Sequence, residues 1–130
     1  MKIRRSPSVA SLIIVGICSL LLAGCSTTSK ATYSSVEELR AAFENAGGSC
    51  PNWTQDDAVT DARESGNCGA NTVMMVFDSA EEANEKAGVL RQMLSAFDLE
   101  INLLVGENWV VNSPDAAVVE PSLGGKLIEN

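Results

Sequence analysis

Past residue 34 the chain alternates between two hydrophobic rhythms. Val36, Leu39, Phe43 and Ala46 recur at helical spacing, with Ala42 beside them. Ser35 and Glu38 precede that run as a capping box, and Gly47-Gly48 closes it, which predicts a helix over 35–46. Thr54 to Asn67 is polar and patternless, and two short strands near 53–57 and 60–67 are expected there. Thr72 to Phe77 is apolar on both alternating faces, the mark of a central strand. Ala80, Ala83, Ala87, Leu90, Leu94 and Phe97 follow at spacings of three and four, predicting a long amphipathic helix capped by Asp78 or Ser79. Glu100 to Val105 is a second apolar strand. Gly106-Glu107-Asn108 turns the chain, and Trp109 to Asn112 returns. Ser113-Pro114 opens a short helix over Ala116 to Leu123, limited by Pro121 and Gly124-Gly125, and Lys126 to Glu129 is a candidate edge strand.

This order predicts an α+β two-layer sandwich. Two main helices and a short third would pack on one face of a mostly antiparallel sheet of four to six strands. The chain shows neither an internal repeat nor a second domain.

The first 25 residues follow a different pattern. Lys2, Arg4 and Arg5 form a basic start, and Val9 to Ala23 is an apolar run broken only by Ser11, Gly16 and Ser19. As a helix that run would span about 22 Å, short of the roughly 30 Å hydrocarbon core, so it suits a secretion signal better than a permanent span. Leu22-Ala23-Gly24-Cys25 ends it. This segment resembles the lipobox of bacterial lipoproteins, where small residues admit a peptidase and the thiol accepts a lipid. The resemblance implies cleavage between Gly24 and Cys25, a diacylglyceryl thioether on Cys25, and in many bacteria a further acyl chain on the new amine. Two or three chains make a stable anchor. Residues 1–24 would then be signal, 25–34 the lipidated cysteine and a flexible polar tether, and 35–130 the domain. The expected location is the extracytoplasmic face of the cell membrane.

Without the signal, six basic residues face all 17 acids, a net charge of −11. Such a polyanion gains nothing from counterion release on nucleic acid, and an anionic membrane repels it, so the lipid is its means of attachment. Cys18 is lost with the signal and Cys25 is lipidated, which leaves Cys50 and Cys68, an even pair in an exported domain that should form a disulfide. Zinc is disfavoured by the absence of histidine, and redox chemistry by the absence of Cys-x-x-Cys.

Gly48-x-Cys50-Pro51-x-Trp53, Ser65-Gly66-x-Cys68 and Leu103-Leu104-Val105-Gly106-x-Asn108-Trp109-x-Val111-Asn112 are similar to segments of small lipoproteins of actinobacteria. That resemblance spans most of residues 35–125 and implies no activity or cofactor. No histidine also means no histidine-based triad or metal site. Asp56, Asp57 and Asp61 could gather around calcium, but solvated surface is the simpler reading. Trp53 and Trp109 could form a stacking surface for carbohydrate or peptide, or could seal a small core. The leading expectation is a non-enzymatic binding module that meets an envelope protein or cell-wall ligand. The alternatives are a carboxylate-dependent wall enzyme and an inhibitor presenting the Gly106–Asn108 loop.

Overall fold

The computed structural model describes residues 30–130. The expected signal and cleavage site, Cys25 and the expected tether up to residue 29 lie outside the described residues. Three helices and six strands follow in order: α1 (Val36–Asn45), β1 (Trp53–Gln55), β2 (Glu64–Cys68), β3 (Thr72–Val76), α2 (Ala80–Ala96), β4 (Asn102–Val105), β5 (Trp109–Asn112), α3 (Ala116–Leu123) and β6 (Lys126–Glu129). The strands form one sheet in the order β1-β2-β3-β5-β4-β6, and every neighbouring pair is antiparallel.

The two main helices start alike. Ser35 Oγ accepts from Glu38 N, and Ser79 Oγ accepts from Glu82 N. In both, the glutamate reaches back one residue beyond the cap, to the backbone N–H of Ser34 or of Asp78. A third bond ties α1 to the sheet, because Val36 N donates to Glu64 Oε2 on β2 at 2.7 Å. For α3, Asp115 is the cap position, and Ser113 Oγ accepts from its N–H.

The α+β sandwich expected from the sequence forms, but its helices are not all on one face. Met74, Val76, Leu104, Trp109 and Val111 point toward α1 and α3, in one apolar cluster with Leu39, Phe43 and Val119. The alternate residues Met75, Leu103, Val105 and Val110 point the other way, into a second cluster with Ala83 and Ala87 of α2. The connectivity explains this. The β3-α2-β4 and β5-α3-β6 connections each step two places in the same direction across the sheet, from strands that run oppositely. Crossovers of one hand must then cover opposite faces. The doubly apolar strands are buried from both sides.

Two further expectations change. The strands near 53–57 and 60–67 shorten to β1 and β2, because Asp56 and Asp57 fold the intervening segment on their own side chains. Ala58 N donates to Asp56 Oδ1, Ser65 N donates to Asp57 Oδ1, and Asp57 takes a positive φ of 48°. Residues 31–34, expected to be flexible tether, are held by the domain. Trp109 Nε1 donates to the Ala31 carbonyl at 3.0 Å, and Asn108 brackets Tyr33 by accepting from its N–H and donating to its carbonyl. Arg63 donates to the carbonyls of Tyr33 and Ser34. Residues 31–34 are therefore a strap bound to the domain.

Cys50 and Cys68 are disulfide-bonded, joining the segment after α1 to the end of β2. The crosslink joins cysteines 18 positions apart in sequence, which on the chain-entropy account stabilises the fold by about 3 kcal/mol.

Candidate functional site

Trp109, one of the two tryptophans weighed as a binding surface, is fully buried. Tyr33 meets its ring edge-on at 6.0 Å. A Cβ on Gly106 would fall 1.8 Å from the indole, so only glycine lets the β4–β5 turn close over it. Trp109 seals the core and presents no stacking face. Trp53 is half-buried on edge strand β1. Gly66 lies against its benzo edge, and the Arg40 guanidinium sits 5.5 Å from its ring centroid. Arg40 is itself held by Glu37 and Glu44. The two tryptophans therefore share no surface.

The acids divide in the same way. Asp56 and Asp57 serve their own loop, with Asp56 also accepting from Asn67 Nδ2. Asp61 pairs with Lys86 at 3.2 Å. Among the described residues no three potential metal ligands converge. The Gly106–Asn108 turn is engaged by the strap through Asn108.

The feature that sequence reasoning missed lies along α2. This helix packs chiefly over β4 and β5, and the loop before β2 covers the neighbouring part of that face. Val59 and Ala62 of that loop pack against the α2-side cluster. Between loop and helix runs a hollow of about 350 Å³. Val73 and Met75 form its floor, Leu90 and Met93 one wall, and Ala58 and Val59 the other. Lys86 bridges to Asp61 across the hollow's edge, and beyond that bridge lies a second hollow of about 400 Å³ lined by Phe77, Val89, Glu82 and Glu85.

An apolar stripe continues the first hollow onto open surface. Val89 and Met93 are each 49% exposed, Phe97 is 71% exposed and Leu99 is 51% exposed. Val89, Met93 and Phe97 are four residues apart and stack on one side of the helix. Phe97 was expected in the buried stripe. It is exposed because α2 is about 25 Å long while a four-residue strand spans about 13 Å, so the helix overhangs the sheet. Only the alanines Ala83 and Ala87 reach full burial on this helix. The signal available in sequence was a second apolar pair, Val89 and Met93, offset from the first set and pointing on to Phe97.

Comparisons with known protein families, with curated proteins and with solved structures found no match.

Proposed function

We propose that this chain is a lipoprotein of the bacterial cell envelope, anchored through lipid on Cys25. Its domain is a non-enzymatic binding module that works through the groove beside α2. The observation that carries this reading is the concentration of exposed large apolar side chains at Val89, Met93, Phe97 and Leu99, beside an apolar hollow, in an otherwise acidic domain. Contiguous exposed apolar surface of this kind marks interaction sites on soluble domains.

The strap supports the anchored arrangement. With residues 31–34 bound, only Ser26 to Lys30 separates the lipid from the domain, a reach of roughly 17 Å when extended. The strap docks at the end of the sheet where β3 finishes and β5 begins, and Trp109 and Tyr33 place it on the α1 side. Met93, Phe97 and Leu99 lie toward the other end of α2, on the opposite face. The apolar hollow and its stripe therefore lie toward the far end of α2 from the strap, while the acidic hollow beside Phe77 lies at the strap end.

Fractionation of the producing cells tests the anchor. The native chain stays with membranes through a high-salt wash and leaves with detergent. The Cys25→Ser precursor remains uncleaved and without lipid. Release of the native chain by salt alone contradicts the reading.

A further inference from the structure

Resting on that binding reading, we infer that the groove takes a basic amphipathic segment of another envelope protein. Two adjoining hollows carry the argument, one on each side of the Lys86–Asp61 bridge. The first is apolar, with Met75, Leu90 and Met93 facing Val59. Met93, half-exposed at its rim, can conform to side chains of different shape, and Met75 lies buried beneath it. The second sets Glu82 and Glu85 beside the Asp61–Lys86 pair, next to Val89 of the stripe, so that acids outnumber the one cation.

A partner that fills both must place apolar side chains in one hollow and cations against the other. This is the helix-in-groove pattern of recognition, and the charge of the whole domain favours the same sign of partner. A second copy of this chain brings the same acids against Glu82 and Glu85, and its charge opposes pairing. A bilayer would have to reach the face opposite the strap.

The test uses the methionines as reporters in the full chain held in zwitterionic nanodiscs. Met75 and Met93 line the groove, whereas Met74 points into the core on the α1 side. Three synthetic helices serve as probes: one of leucine and lysine, one of leucine and glutamate, and one of serine and lysine. The leucine–lysine helix should shift the methyl signals of Met75 and Met93, spare Met74, and bind more weakly as salt rises. Met93→Lys, at an exposed position, should weaken that binding by about tenfold, the usual effect of losing an anchoring contact. Glu85→Lys should weaken it and flatten the salt dependence.

Binding of the leucine–glutamate helix in the groove with equal affinity overturns the inference about the partner's charge and leaves the binding reading intact. No shift at Met75 or Met93 with any probe overturns both. Protection of Met93 by the nanodisc lipid, or by self-association in sedimentation, assigns the surface to another occupant and overturns the inference.

Discussion

The Asn108 side chain makes three hydrogen bonds to backbone that is distant in sequence, two to Tyr33 and one to the Phe77 carbonyl. Replacing it with alanine strands partly buried polar groups, and each such group costs on the order of 1–3 kcal/mol. Asn108→Ala should therefore destabilise the domain by about 2 kcal/mol in chemical denaturation and expose residues 30–34 to proteolysis. Tyr33 offers an independent reading, because it is the one tyrosine in the chain. Its burial raises the phenol's pKa above the ordinary 10.0. The neutral phenol is thus favoured in the folded state. The associated stability is present in full below the ordinary value and is lost as pH rises through the raised one. Tyrosinate absorbance should accordingly titrate later than for a free tyrosine, and Asn108→Ala should return it toward the ordinary range. Glu38 shifts the other way. Its carboxylate accepts from the Ser34 hydroxyl and backbone N–H, which lowers its pKa, so its contribution is present above the ordinary carboxylate value and fades as pH falls through the lowered one.

Most element boundaries were legible because local chemistry fixes them. Ser35, Ser79 and the glycines after α1 act within one turn, and the three- and four-residue spacings of α1 and α2 follow from the helix itself. The segment between β1 and β2 was not legible, since Asp56 and Asp57 replace ladder bonds with side-chain bonds that leave no periodicity. The face each helix covers was half legible. The strand Thr72 to Phe77, apolar on both faces, already demanded cover on both sides, but strand order decides which helix supplies it. One substitution and one chemical reduction test the elements. Gly106→Ala drives a methyl group into the Trp109 ring, and overpacking of this kind costs about 1–3 kcal/mol; thermal unfolding should show the loss. Reduction of the Cys50–Cys68 bond should lower stability by about 3 kcal/mol. An unchanged midpoint in reductant would show that the crosslink is dispensable.

At the scale of the molecule, the proposed anchor and the proposed groove come from different parts of the chain. The lipobox-like motif, Leu22 to Cys25, is continuous and visible in sequence. The groove is assembled from the 58–62 loop, β3 and α2, whose residues meet only after the sheet forms, so no motif announces it. Of the two readings open for the tryptophans, core holds for Trp109, because the strap and Gly106 close over it. The surface was left instead to valine, methionine, phenylalanine and leucine on a helix longer than the strands beneath it. The account joins a lipid at Cys25 to a domain held close to the membrane, and the mass of the intact protein extracted from membranes tests that junction most directly. The account predicts a chain that begins at Cys25 and carries the added mass of a diacylglyceryl group, with or without a further acyl chain. A mature chain that begins elsewhere, or that begins at Cys25 without lipid, contradicts it.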